Sequence, residues 1–153
     1  MTKSFQRIIG LLGVSLALAS FSAFGFTAGQ QLSSAQITQL GDLQVYDIGG
    51  EQLRVIPSQA SDDAATLLLN SQGVVGVSQN EVAISGASAE RIQTQLRQLN
   101  PQPLSVQAYE STGITVARYA DFPQAIKGLK ALMAALPDAH VSLSLQFGKH
   151  VPY

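Results

Sequence analysis

The chain lacks cysteine and tryptophan, and only 12% of its residues are charged. Without cysteine, an exported form of the chain must be held together by its core alone, because neither disulfides nor thiolate metal sites can form. The charged residues include no basic run. A basic run or patch is the usual electrostatic footprint of a nucleic-acid-binding protein. We therefore predict no nucleic-acid partner.

The sequence is also poor in residues and motifs that carry catalysis or bind metal. It has two histidines, His140 and His150, and no Gly-x-Ser-x-Gly elbow. A serine triad would need a histidine near an exposed serine and an aspartate, and no spacing here indicates one. Neither the histidines nor the pair Asp62 and Asp63 have ligand spacing. We predict that the chain is not an enzyme and has no metal and no cofactor.

The first 25 residues have the three parts of a secretory signal peptide. Lys3 and Arg7 precede a short apolar run, and small residues then place the cut after Gly25, with Ser22 and Ala28 as alternative positions. A membrane anchor is the other interpretation, but the run is short and interrupted by glycine. Cleavage leaves seven basic and ten acidic residues, a mild net charge of −3. We expect a periplasmic protein without a membrane anchor after cleavage, or one released with its partner.

Residues 26–73 are predicted to form an N-terminal extension. Its polar beginning is expected to be an arm with a short helical turn near Ser34. Two alternating runs between Leu43 and Ile56 flank Gly49-Gly50, which is a strong hairpin signal. Asp62 is a candidate N-cap for a short helix over residues 63–70.

Residues 74–147 show a regular succession of strand and helix patterns. The predicted elements are strands at 74–78 and 81–85 separated by a turn at Gln79-Asn80, a helix at 89–99, strands at 104–109 and 114–119, a helix after Asp121, and a strand at 140–147. From residue 81 the order is strand, helix, strand, strand, helix, strand. This order is typical of a ferredoxin-like α+β fold, an antiparallel sheet with two helices on one face. The opposite face of such a sheet is bare.

Alternation assigns side chains to the two faces of this sheet. Ile114 and Val116 are predicted to face the helices, together with the apolar positions of the neighbouring strands. The residues predicted on the bare face are small or uncharged and include two tyrosines: Ser105, Gln107, Tyr109, Thr115, Tyr119, Ser142, Ser144 and Gln146. Depletion of charge and enrichment in tyrosine are typical of the centre of an interface. An ordinary solvated Ser/Thr/Gln face is the alternative.

The last helix and strand, AIKGLKALMAALPDAHVSLSL, lead into residues 148–153 and a short segment ending KHVPY. With the order of elements from residue 74 onward, this half of the chain resembles the propeptide, or inhibitor-9-like, domain of subtilisin-type serine proteases. The resemblance lies in element order, spacing and terminus, because the family has few invariant motifs.

The resemblance implies that the bare face packs on two surface helices of a protease. It also implies that the final residues lie in the substrate cleft like a product, with Tyr153 in the primary pocket and Pro152, Val151, His150 and Lys149 following back along the cleft. Pairing there would be main-chain strand addition. Propeptides of this family both speed the folding of their protease and inhibit it.

Two departures from the family pattern matter. The stretch Leu145-Gln146-Phe147 has no acidic residue to cap the protease helices. No protease domain follows Tyr153, so the chain is expected to act in trans, as an external chaperone in a 1:1 complex with a secreted kexin-like subtilase. The alternatives are an inhibitor without folding activity and a ferredoxin-like adaptor of an envelope or secretion complex, since fold alone does not decide function.

Overall fold

The computed structural model describes residues 25–57 and 65–148. Its helices are α1 (Ser34–Gln39), α2 (Ala89–Gln98) and α3 (Phe122–Ala135), and its strands are β1 (Gln44–Ile48), β2 (Glu51–Ile56), β3 (Thr66–Leu69), β4 (Val75–Ser85), β5 (Ser105–Tyr109), β6 (Ile114–Arg118) and β7 (His140–Gln146). The strands form one seven-stranded antiparallel sheet, so the fold class is α+β. Residues 1–24 of the predicted signal peptide lie outside the described residues.

Each helix begins at a side chain that caps its free N–H groups. Ser33 and Gln36 form a capping box at α1, Ser88 accepts from the Arg91 amide at α2, and Asp121 accepts from the Gln124 amide at α3. Such caps satisfy backbone donors that have no partner inside the helix. The short polar and acidic residues before each apolar pattern therefore fix where the helices start.

The predicted hairpin is present as β1 and β2. Gly49 and Gly50 both have positive φ, 63° and 86°, and the Gly50 amide donates to Asp47 Oδ1 at 3.1 Å. A two-residue turn of this kind needs positive φ at both central positions, which glycine adopts at no steric cost. The turn fixes the register, with Tyr46 opposite Leu53.

The predicted helix over residues 63–70 is wrong, because Thr66–Leu69 is strand β3. Leu67 pairs with Ile56 of β2 and with Val77 of β4. Leu68 and Leu69 are both fully buried although they point to opposite faces. A strand covered on both faces has a continuous apolar run that periodicity alone does not distinguish from a helix. Asp62 and Asp63 lie outside the described residues.

The predicted turn at Gln79-Asn80 is also wrong, because β4 runs through it as one strand. Asn80 has a positive φ of 59°, and the pairing of β4 with β7 shifts register between Ser78 and Val82. The irregularity is a bulge, and asparagine is one of the few residues that tolerate such a φ. Thr66 Oγ1 donates to Asn80 Oδ1 at 3.0 Å, and the Tyr119 amide donates to Asn80 O at 2.9 Å.

This bulge divides the sheet into two parts. On one edge, β4 pairs first with β3 and then, beyond Asn80, with β6; on the other edge it pairs with β7. We call β1, β2, β3 and residues 75–78 of β4 the first half. The second half comprises residues 81–85 of β4 with β5, β6 and β7. Because β1, β2 and β3 continue the sheet beyond β4, the overall strand order differs from that of the predicted four-stranded sheet.

The first half is covered on both faces. On one face Leu53 and Leu68 pack with Phe122 and Ile126 of α3. On the other face Ile56, Leu69 and Val75 pack with Leu32 of the N-terminal arm, and with Ile37 and Leu40 at α1.

Within residues 25–57 and 65–148, the second half is covered on one face only. Its core side chains lie between the sheet and the helices α2 and α3; they are Val82, Ile84, Ile92, Leu96, Ala117, Tyr119, Ala125, Leu129, Leu132 and Leu136.

Candidate functional site: the open sheet face

The face of the second half opposite α2 and α3 carries no covering element among the described residues, and we call it the open face. Strand register places Gln107, Val116, Ala83 and Ser142 in one row across all four strands. By alternation from these pairs, the open face comprises Glu81, Ala83, Ser85, Ser105, Gln107, Tyr109, Ile114, Val116, Arg118, His140, Ser142, Ser144 and Gln146.

The centre of the open face is apolar and its rim is polar. Ile114, Val116 and Ala83 are half-buried by their neighbours, and Tyr109 stands beside Ile114 with 44% of its surface exposed. Glu81 and Arg118 are direct cross-strand partners at one side of this centre. An apolar centre with hydroxyl and amide groups around it is a pattern that protein interfaces share.

Six of the eight residues predicted for the bare face lie on the open face, and two do not. Thr115 and Tyr119 are buried against the helices, and Ile114 and Val116, predicted to face the helices, lie on the open face. The assignment of β6 was wrong by one residue, which reverses every side chain of a strand. The physical reason is close packing: the Tyr119 ring occupies the space beside Gly128 of α3, where a Cβ would clash with it.

The ionisation of Tyr119, the residue after β6, is perturbed by its position. Its side chain is 1% exposed, and burial raises the pKa of its phenol above the ordinary value of 10.0. Desolvation disfavours the phenolate because its charge has lost its water. The residue is therefore a core residue that stays neutral, and it contributes nothing to the open face.

Strand β5 is exposed on both faces, which the sequence did not indicate. Val106 lies opposite Ala117, on the helix side, yet it is 39% exposed, and the neighbouring Leu104 is 69% exposed. Helix α2 packs over β6 and leaves Val106 of β5 partly exposed. A cleft of about 240 Å³ lies where the start of α2 meets the turn between β5 and β6. The edge strand thus offers a second, smaller apolar surface.

The end of β7 is anchored by its last aromatic side chain. Phe147 packs with the cluster of Leu53, Leu68 and Phe122, and its ring fills the space over Gly76, where a Cβ would lie within 3.0 Å of it. Val141, Leu143 and Leu145 face the same side, as alternation predicted. The predicted cleft-binding residues follow at once but lie outside the described residues: Lys149, His150, Val151, Pro152 and Tyr153.

The described residues offer no cluster suited to metal binding. No group of three or more histidine, cysteine, aspartate or glutamate side chains comes together in residues 25–57 and 65–148. His140 is exposed at the start of β7, and Asp138 near it pairs with Arg91 at 3.9 Å in a solvent-exposed salt bridge. In the same part of the chain, no helix has the length and hydropathy to cross a membrane.

Comparison of the chain with protein-family models, with curated proteins and with solved structures gives no match.

Proposed function

We propose that the chain is an exported external chaperone that assists the folding of a secreted, kexin-like subtilisin-type serine protease and then inhibits it. In this proposal the second half of the sheet is a ferredoxin-like unit, with strand order β7-β4-β6-β5 and α2 and α3 on one face. Its open face packs on the protease surface in a 1:1 complex, and Lys149 to Tyr153 occupy the substrate cleft.

The observation that carries the proposal is the composition of the open face. Val116 and Ala83 are adjacent at its centre, Tyr109 is nearby, and the cross-strand pair of Glu81 and Arg118 lies to one side. A solvated sheet face has no need of half-buried aliphatic side chains without a covering layer, whereas an interface core does. A preformed surface complementary to native protease helices would stabilise them while slow, non-local pairing proceeds.

Gln107 and Gln93 allow a matched test of this surface. Gln107 is exposed on the open face, and Gln93 is exposed on α2, on the opposite side of the sheet. We expect Gln107→Lys to weaken the complex roughly tenfold, because a lysine next to Val116 in an otherwise uncharged contact would lose hydration without gaining a partner. Gln93→Lys should leave the complex unchanged. Equal behaviour of the two variants would refute the open face as the docking surface.

The folding role is tested by co-expressing the full chain, or a chain lacking Lys149 to Tyr153, with a kexin-like subtilase that has no propeptide of its own. The yield of soluble protease and its later activity against a peptide substrate are measured. The chaperone proposal expects active protease only with the full chain. A full chain that inhibits mature enzyme but leaves the yield of active protease unchanged would establish the pure inhibitor instead.

Strand β5 favours a second candidate function, an adaptor that binds an envelope partner through its sheet edge. Val106 and Leu104 are exposed on the helix side of this edge, and the five residues of β5 carry no charge to discourage strand addition. Val106 and Gln107 are neighbours on opposite faces, so Val106→Lys separates the candidates. The chaperone proposal expects protease binding to survive Val106→Lys, because this change leaves the open face intact. The adaptor proposal expects the same change to weaken binding at the edge of β5, because that binding does not depend on the open face.

A further inference from the structure

The strand β7 is an edge of the second half of the sheet. Among the described residues it pairs with β4 alone, with Ser142 opposite Ala83 and His140 opposite Ser85. An edge strand has a row of N–H and C=O groups that its own sheet does not use, and another extended strand can pair with that row. The direction of each backbone group decides which residues of β7 form the row.

Backbone hydrogen bonds show which residues of β4 face β7. The Leu104 amide, just before β5, donates to Arg118 O at 2.7 Å, so Arg118 directs its polar groups to β5. Ala117, its neighbour in β6, therefore directs its own to β4, where it pairs with Val82. Ala83 follows Val82, so its N–H and C=O point to the opposite edge of β4, which β7 occupies.

Alternate residues of β7 direct their polar groups away from β4. Ser142 pairs with Ala83, so the polar groups of Ser142 face β4. By alternation the residues that face outward are Val141, Leu143 and Leu145. No described residue pairs with their outward N–H and C=O groups, which we call the free edge. The free edge therefore offers both donors and acceptors to an added strand.

The sequence of β7, HVSLSLQ, is nearly symmetrical about Leu143. Two copies that pair antiparallel about a two-fold axis at Leu143 place Ser142 of one copy opposite Ser144 of the other. Val141 then lies opposite Leu145 of the other copy, and the outward groups of the two free edges bond to each other. A two-fold interface must be self-complementary, and β7 meets this condition.

Strand β7 also lacks the features that protect natural sheet edges. Such edges are kept apart by charged residues, by proline or by short length. The seven residues of β7 include no lysine, arginine, aspartate, glutamate or proline. Strand β1 carries Asp47, and β5 has only five residues and begins shortly after Pro103. Of β1, β5 and β7, the last is therefore the edge best suited to pair with its own copy.

We propose that the chain forms a two-fold symmetric dimer in which the free edges of β7 pair about Leu143 and join the two sheets into one. The occupant is a second copy because the order of side chains in β7 nearly matches itself when it is reversed. Pairing of one short strand buries little surface, so we expect a reversible dimer. The inference does not rest on the proposed function, because the pairing uses the sheet edge and leaves the open face of each copy uncovered.

Ser142 and Ser144 allow a test in which only the sign of a charge differs. Ser142→Lys with Ser144→Lys sets lysine opposite lysine across the dimer, and should raise its dissociation constant roughly tenfold. Ser142→Lys with Ser144→Glu sets lysine opposite glutamate in the same register, and should keep the dissociation constant of the unmodified chain. Sedimentation velocity of the full chain over a concentration series measures these constants. A chain that is monomeric at every concentration, or equal constants for the two variants, would overturn the inference.

Single cysteines test the register, because the chain has no cysteine of its own. The proposed pairing makes Ser142 and Ser144 of the other copy a non-hydrogen-bonded pair, with Cα atoms about 4.5 Å apart, which is within disulfide range. A mixture of Ser142→Cys and Ser144→Cys chains in a glutathione redox buffer should therefore form a cross-linked heterodimer. Ser105→Cys, at an exposed serine of β5, is the control and should not cross-link with Ser144→Cys. Equal cross-linking in the two mixtures would overturn the proposed register.

Discussion

The first half of the sheet is covered by α3 on one face and by the arm and α1 on the other. The second half has helices on one face, and no described residue covers its other face. Individual strands show this difference in burial. Leu68 and Leu69 of β3 are both buried, while in β4 beyond the bulge Val82 and Ile84 are buried and Ala83 between them is only half-buried. Among the described residues, the first half thus buries apolar side chains on both faces, and the second half buries them on one.

The largest expected effect tests this difference in burial. Leu68→Ala removes a fully buried side chain that packs with Phe122 and Ile126, and should lower the free energy of unfolding by about 2–5 kcal/mol. Val106→Ala, on the exposed strand β5, should change it by less than about 0.5 kcal/mol. Urea denaturation of the two variants beside the unmodified chain measures both values. Similar losses would mean that the halves do not differ in packing as described.

A second prediction concerns the bulge that joins the halves. Asn80→Ala removes the acceptor for Thr66 Oγ1 and places alanine at a φ of 59°, so we expect a loss of about 2–3 kcal/mol from strain and lost hydrogen bonding together. Asn80→Gly relieves the strain alone and should recover about 1 kcal/mol of the loss. If glycine and alanine destabilise equally, the positive φ contributes nothing to the cost.

A third prediction concerns Phe147, which binds the end of β7 to the core of the first half. Gly76→Ala would place a Cβ 2.5–2.9 Å from three atoms of the Phe147 ring, and the ring would have to move out of its place beside Leu53 and Leu68. We expect a loss of about 1–3 kcal/mol, the usual cost of overpacking. Gly148→Ala is the control, since a Cβ there meets nothing within 4 Å, and its melting curve should match that of the unmodified chain.

Local signals predicted most of the second half and less of the first. Caps at Ser88 and Asp121 and the alternation of β7 are properties of a few neighbouring residues, and the structure has these elements within a residue or two of the predicted bounds. The strand β3 was missed because burial on both faces removes the alternation that distinguishes a strand.

The open face was half predictable. Alternation in β5 correctly places Gln107 and Tyr109 on the open face. In β6 the alternating side chains of both faces are compatible with a core, and the prediction assigned the aliphatic residues Ile114 and Val116 to it. Arg118 lies on the same face of β6 as Ile114 and Val116. Because a buried arginine is costly unless it is paired, Arg118 indicated that this face is not the core face. The contact of Tyr119 with Gly128 could not be foreseen, because it depends on how closely α3 approaches the sheet.

The smallest predicted effect tests the corrected position of Tyr119 through pH. Burial raises the pKa of Tyr119 above 10.0 in the folded protein, so the folded state holds this proton more tightly than the unfolded chain does. Its contribution to stability is complete below pH 10 and is lost as the pH rises from 10.0 through the raised pKa.

Tyr119→Phe removes this ionisation and keeps the ring beside Gly128. Between pH 9 and pH 11 the free energy of unfolding should therefore fall less steeply for Tyr119→Phe than for the unmodified chain. Parallel curves for the unmodified chain and Tyr119→Phe would place Tyr119 in contact with solvent. The buried position described for Tyr119 would then be wrong.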